Sequence, residues 1–285
     1  MLQLGALQVY LLSDGVVQVD AGGMFGLVPR ALWGRMVAPD AENRVPMHLR
    51  CLLVKVGDQN IVIDTGLGNK LDEKHRRQWG LERPQGDLLA GLARAGVAPA
   101  AVTLVINTHL HADHCAGNNF FDAAGALRPT FPQARYVVQR REYEDAMRPN
   151  ERTRATYIPL NYEPLHLSGQ LELLEGDTEL APGVRGVVTP GHTPGHMSVV
   201  LEGGGQAAVF LCDLATYLVH FEKLGWMTAY DVEPLITLET KRAWQQWAMQ
   251  HHAYLISAHD PQPVARLRPD EHGTARIIPV DLAQD

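Results

Sequence analysis

The chain has 285 residues, 46% hydrophobic and 20% charged, with a formal net charge of -7. That balance suits a soluble globular protein with a substantial core, and the acidic surface excludes broad binding to nucleic acid, which needs a basic face. Cys51, Cys115 and Cys212 are too few and too odd in number for a disulfide framework, so a reducing compartment is expected. No basic-then-apolar leader stands at the start, and no run approaches the ~18 apolar residues of a membrane span; the expectation is a cytoplasmic protein without membrane contact.

In chain order, Gln8–Leu12 and Val16–Val19 read as strands joined by a Ser13-Asp14-Gly15 turn. Cys51–Val56 and Ile61–Ile63 flank Gly57-Asp58-Gln59-Asn60, a hairpin signal. Asp87–Ala95 reads as a helix capped by Asp87, with Leu88, Leu89 and Leu92 on one face and Gly96 ending it. Val102–Ile106 and Arg135–Val138 are strands, and a polar helix follows near Arg140–Met147. Then come strands at Val184–Val188, Met197–Leu201 and Ala207–Leu211, a helix over Leu238–Gln250 with Trp244, Trp247 and Ala248 on one face, and a last strand at Tyr254–Ser257. With no internal repeat or linker, this order predicts one α/β or α+β domain over residues 1–285, with sheets covered by helices and an N-terminal extension at about 1–50.

The chemistry is concentrated where strands end. Val102–Ile106 runs into Asn107-Thr108-His109-Leu110-His111-Ala112-Asp113-His114. Imidazole and carboxylate are the usual ligands of zinc and similar divalent ions. His109 and His111 can aim at one ion, while Asp113 and His114 are displaced along the chain and can serve a second. Further on, Thr189-Pro190-Gly191-His192-Thr193-Pro194-Gly195-His196 presents His192 after a strand, Ala207–Leu211 ends in Cys212-Asp213, and Tyr254–Ser257 ends in Ala258-His259-Asp260. Ligands at four strand ends can converge on one rim. Lone histidines such as His75 and His272 read as ordinary side chains, whereas a cluster followed by two further motifs in order does not. Cys115 and Cys212, each beside a candidate ligand, read as small apolar filler.

At these residues the sequence resembles the metallo-β-lactamase superfamily. THLHADH matches its HxHxDH motif, and the order of HxHxDH, His192, Asp213 and His259 follows the family across roughly Cys51 to His259. The resemblance implies an αββα sandwich of two mixed sheets with outer helices and two metals at one edge. His109, His111 and His192 would hold the first metal and Asp113, His114 and His259 the second, with Asp213 bridging. The usual residue before that Asp is Gly, and here it is Cys212, a departure expected to alter packing more than ligation. His196 matches a position that is not a ligand, and Asp64, in Ile63-Asp64-Thr65-Gly66, matches a carboxylate that supports a ligating His. The cofactor expected is a pair of divalent ions, zinc first, with manganese, cobalt or iron as alternatives.

The branch most similar is that of the acyl-homoserine lactonases and methyl parathion hydrolases. Gly22–Trp33 and Leu255–Pro261 look like that branch, the first segment lining the substrate mouth and making dimer contacts there, so a homodimer is implied. The same segment also reads as a strap packed on the core. The activity implied is opening of a lactone or cleavage of an ester, the small-molecule alternative being a phosphotriester; an iron-dependent persulfide dioxygenase shares the fold. Asp113 would guide a proton to the leaving group. Tyr217 and His220, four and seven residues after Asp213, are the candidates for orienting substrate.

Overall fold

Patterning along one strand dictates the layering. In the computed structural model, which describes residues 1–282, the run Arg44–Val56 turns Leu52 and Val54 to one side and Cys51 and Leu53 to the other, and all four are buried. A strand apolar on both faces must be covered on both.

The first sheet contains β1 (Leu2–Leu4), β2 (Leu7–Asp20), β3 (Arg44–Val56), β4 (Gln59–Ile63) and β5 (Leu104–Ile106). After a two-stranded hairpin, β6 (Asn119–Phe121) and β7 (Leu127–Pro129), it is completed by β8 (Arg135–Gln139) and β9 (Leu171–Leu174). The second sheet runs in chain order through β10 (Thr178–Ala181), β11 (Val184–Val188), β12 (Met197–Gly203), β13 (Gln206–Phe210), β14 (Tyr254–Ile256), β15 (Val264–Pro269) and β16 (Ala275–Pro279). Both sheets are mixed: β4, β5, β8 and β9 pair in parallel, as do β13 and β14.

The helices are α1 (Ala21–Phe25), α2 (Arg30–Trp33), α3 (Glu73–Trp79), α4 (Leu88–Arg94), α5 (Ala112–Cys115), α6 (Arg140–Met147), α7 (Glu163–Leu167), α8 (Leu218–Glu222) and α9 (Pro234–Gln250). Val9, Leu52, Ile63 and Ile106 meet Val199, Leu201, Phe210 and Ile256 between the sheets. Leu88, Leu92 and Leu165 cover the outer face of the first sheet, and Phe221 and Ala248 that of the second. The result is the expected αββα sandwich. No helix among the described residues is long and apolar enough to cross a membrane.

Four features depart from the sequence reading. Ser13-Asp14-Gly15 is not a turn: β2 runs through it as a bulge, one extra residue being taken up between the Ser13–Arg50 and Val16–His48 pairs. The Asp14 carboxylate there turns inward to accept from Gly68 N and Leu88 N and to pair with Arg83. Residues 1–50 supply β1, β2 and part of β3 to the first sheet, besides α1 and α2. α9 starts at Pro234, four residues early, because its first turn packs under the His192 loop: Glu233 N donates to Gly191 O. Finally, β14 is not the last strand; β15 and β16 follow it.

Of most consequence, the ends of β4, β5, β11, β13 and β14 gather on one edge. The two sheets are stitched there, His48 N donating to His259 O (3.0 Å) and Arg50 N to Ala258 O (3.1 Å).

Candidate metal centre

Asp64 follows β4 in a left-handed conformation (φ 56°), which a short carboxylate side chain tolerates. That turn aims its oxygens across the edge of the sheet. They accept from Thr108 N, Thr108 Oγ1 and His114 Nδ1, each at 2.9 Å, and so hold the Thr108–His114 segment leaving β5. Glu142, buried on α6, fixes the other side. Its Oε1 accepts from Leu110 N and the Tyr157 hydroxyl, and its Oε2 from Thr193 Oγ1, which ties both histidine loops to one carboxylate.

Three rings have their tautomer set by such partners. Nδ1 of His114 donates to Asp64, Nδ1 of His192 to Asp231 (2.9 Å) and Nδ1 of His259 to His48 O (2.6 Å). In a neutral ring the Nε2 then carries a lone pair. These lone pairs converge on other acceptors. His192 Nε2 is 3.1 Å from Asp213 Oδ2, and His259 Nε2 is 2.9 Å from Asp213 Oδ1 and 3.1 Å from His114 Nε2. His109 Nε2 and Asp213 Oδ1 are buried without a hydrogen-bond partner. Acceptors crowded together in a dry site repel unless something positive lies between them. Donor atoms of His109, His111, His192 and Asp213 lie within 4.8 Å of one another, as do those of Asp113, His114 and His259. Imidazole nitrogens and carboxylate oxygens at this spacing fit a divalent cation in each group.

The electrostatics divide the rings. Burial pushes His109 well below its ordinary pKa and His111 down to about 3, so both keep a free lone pair. His114 and His192 are instead raised, against burial, by the acidic groups they face, chiefly Cys212 and Asp113 for the first and Asp213 and Asp231 for the second, so these two rings carry positive charge where a cation would otherwise supply it. Burial opposes charge on Asp113 and Asp213, but His114 and His259 beside the first, and His259, His114 and His192 around the second, hold both carboxyls below their usual range.

All seven candidate ligands therefore meet at one place. His196 does not join them, since Asp213 N donates to its Nε2 (3.2 Å) and its Nδ1 donates to Thr189. The cysteines are free and buried. Cys212 has φ 49°, and its sulfur lies 3.0 Å from Thr108 Oγ1 and 3.4 Å from His114 Nδ1, filling space behind the ligands. Tyr217 and His220 stack but differ in their polar partners. The Tyr217 hydroxyl donates to Pro46 O, and no other partner among the described residues holds it. His220 lines a small hollow with Asp213, Asp231 and Lys241. Tyr217 N donates to His220 Nδ1, which places the ring proton on Nε2, and that atom is buried and unpartnered. Burial pushes the His220 pKa to about 3, so the ring is neutral.

Sequence reasoning missed Asp231, Glu142, His48 and Lys241. Asp231 lies 39 residues from His192 with no motif around it; only the fold brings the two together. Gly22–Trp33 is part core and part cavity wall. Met24, Phe25 and Trp33 are buried, whereas Gly22, Gly26, Leu27, Val28, Pro29 and Leu32 line an apolar cavity of about 810 Å³, closed opposite by Trp226, Met227 and Leu235 and reaching Asp231. A second cavity, of about 780 Å³ beside β6 and β7, includes none of the cluster.

Comparison with known proteins agrees with this geometry. Residues 46–262 match the Metallo-beta-lactamase superfamily. An N-acyl homoserine lactonase of Bacillus cereus is 27% identical over 230 residues, covering 76% of this chain and 83% of that protein. The N-acyl homoserine lactonase AttM of Rhizobium radiobacter is 28% identical over 244 residues, covering 80% and 87%. A crystal structure of a probable metal-dependent hydrolase from Staphylococcus aureus superposes with a TM-score of 0.87 at 29% identity, covering 99% of both chains. AidC, described as a dizinc quorum-quenching lactonase, shares the fold at a TM-score of 0.80 and 21% identity, covering 99% and 97%. Two sheets between helices, with a His/Asp cluster at their common edge, define a metal-dependent hydrolase. The chain belongs to the metallo-β-lactamase superfamily.

Proposed function

We propose that this chain is a dinuclear hydrolase that opens a lactone or cleaves a related ester. One observation carries the reading: Asp213 joins the two groups, its Oδ2 facing His192 and its Oδ1 facing His259. In this assignment His109, His111 and His192 hold one ion, Asp113, His114 and His259 the other, and Asp213 bridges. The ions, zinc first among the candidates, would polarise the reacting carbonyl and lower the pKa of water to about 7.

The chain's own groups complete the chemistry. Asp113 is kept ionised by His114 and His259 and its side chain is 15% exposed against 8% for Asp213, so it is the carboxylate able to take up the proton that the attacking water gives up and pass it to the departing alkoxide. His220, proposed from the sequence to orient substrate, has its Nε2–H buried in a hollow too small to admit a water molecule, so its part is to pack beside Asp213 rather than to meet substrate directly. Asp64, Asp231 and the His48 carbonyl fix the tautomers of three ligating rings. Lactones are favoured as substrates by the lactonase relatives and by the apolar cavity beside Asp231, which suits an acyl chain.

The test is acid release from a medium-chain acyl-homoserine lactone by protein reconstituted with zinc or manganese, run against an aryl phosphotriester. The expected result is lactone turnover that chelation abolishes and that exceeds phosphotriester turnover. Preference for the phosphotriester would reject the lactone assignment. His109→Ala is expected to lose a metal and activity together; full activity with two metals bound would refute the ligand assignment.

A further inference from the structure

The loop over residues 228–233 is pinned along its length. Ala229 N donates to Gly23 O (2.8 Å), and Arg152 Nη2 donates to Ala229 O (2.7 Å) and Asp231 O (3.1 Å). Val232 N donates to His192 O (3.0 Å) and Glu233 N to Gly191 O (2.9 Å), while the Asp231 carboxylate holds the His192 ring. Tyr230 stands in the middle, its backbone fixed on both sides.

The Tyr230 side chain lies against Gly23. A Cβ at position 23 would stand 2.1 Å from the phenol oxygen, so this placement requires glycine there. No hydrogen-bond partner holds the hydroxyl among the described residues, and the residue is 45% exposed. Burial of the ring raises the phenol pKa, and the carboxylates of Asp20 and Asp113 are near enough to add to the shift, so the hydroxyl keeps its proton. Residues on either side of the contact, Gly22, Ala229 and Asp231, line the apolar cavity. The phenol thus lies over Gly23 at the edge of that cavity, flanked by residues that line it, a donor on a pinned loop that no protein group among the described residues holds.

We infer that Tyr230 is a specificity-determining residue whose hydroxyl donates to the amide oxygen of an N-acylated lactone, at the point where the substrate leaves the cluster and its acyl chain enters the apolar cavity. This rests on the lactone-hydrolase reading above. An amide between ring and tail must give up water to enter the cavity, and a placed donor replaces that water. Tyr230 does not touch the reacting carbonyl, which is the province of the metal ligands.

The experiment pairs two substrates on metal-loaded full-length protein: an N-acyl amino-γ-lactone, and an alkyl-γ-lactone of equal chain length without the amide. Tyr230→Phe is expected to raise KM for the amide lactone about tenfold, the worth of one hydrogen bond, with kcat and the KM of the alkyl lactone within about twofold of wild type. Gly23→Ala, which displaces the phenol by a clash rather than removing it, is expected to give the same split. An unchanged KM, or equal losses on both substrates, would overturn the inference while leaving wild-type lactone turnover standing. Wild-type protein that opens neither lactone would overturn both.

Discussion

The half of the rim carried by the first sheet differs from the half carried by the second. In the first, His109, His111, Asp113 and His114 fall within one short segment, and a single carboxylate, Asp64, binds both its backbone and one of its rings. In the second, His192, Asp213 and His259 come from three separated loops, and the group that orients His192, Asp231, arrives on a fourth. The first half, one continuous segment, is held by two carboxylates that the fold brings to it, Asp64 at the end of β4 and Glu142 on α6. The second is held by a roof of α8, α9 and the loop between them, in which the buried Lys241 donates to the carbonyls of His220 and Trp226, and Gln245 donates to those of Phe221 and Glu222. A compact motif can be fixed as a unit by a few carboxylates, whereas dispersed ligands need separate supports for each loop.

That contrast can be broken at its two carboxylates. Asp64→Ala and Asp231→Ala are each expected to weaken metal binding about 10- to 100-fold by freeing one ligating ring, measured by competition with a chromogenic chelator. They should differ in metal-free stability. Asp64→Ala also strips the buried Thr108 N–H of its acceptor, at about 1–3 kcal/mol, so its urea midpoint should fall further. Equal midpoints would show that both halves depend on the same support.

Lys241→Met sharpens the comparison from the roof. It keeps most of the side-chain volume but leaves the His220 and Trp226 carbonyls without their donor, an expected loss of about 1–3 kcal/mol. The pH dependence has a definite sign. Burial lowers the Lys241 pKa from 10.5 to about 8, so the folded protein binds this proton more weakly than the unfolded chain. Wild type therefore gains stability as pH rises from about 8 towards 10.5. The difference between wild type and variant in denaturant unfolding should widen from pH 7.5 to pH 10, and a difference that narrows would contradict the depressed pKa.

The smallest effect is expected at Cys212→Gly. Relief of the left-handed backbone, worth about 1–2 kcal/mol, works against the loss of the buried sulfur's contacts, at about 1 kcal/mol. A net change below about 1 kcal/mol in thermal unfolding, with turnover within about twofold, is the outcome; a loss of metal would give the thiol a larger role than filling space.

These contrasts also explain what could be read in advance. The fold class and the grouping of His109, His111, Asp113, His114, His192, Asp213 and His259 were legible because each follows a short apolar strand and sits in a local motif. α1 was not legible as a helix. Ala-Gly-Gly-Met-Phe has poor helical propensity, and its turn forms because the Asp20 carboxylate accepts from Gly22 N and Gly23 N while Met24 and Phe25 are buried. β15 was hidden by Arg266 and Arg268 alternating with its apolar residues near Pro269, a pattern that a half-exposed strand also gives. Tyr217 and His220 could not be told apart by spacing from Asp213. The two rings stack, and the difference between them lies in their polar atoms, the Tyr217 hydroxyl donating to Pro46 O while His220 Nε2 is buried without a partner.

The stitched edge has a mechanical consequence. Besides two backbone hydrogen bonds, the sheets meet there through side chains drawn from residues as far apart as His109 and His259. A cation gripped from both sides would act as a clasp across the sandwich, closing a loop of chain as a covalent cross-link does. Separating the layers would require letting go of it, so its tightness would govern how long the chain resists proteolysis as well as how fast it turns over.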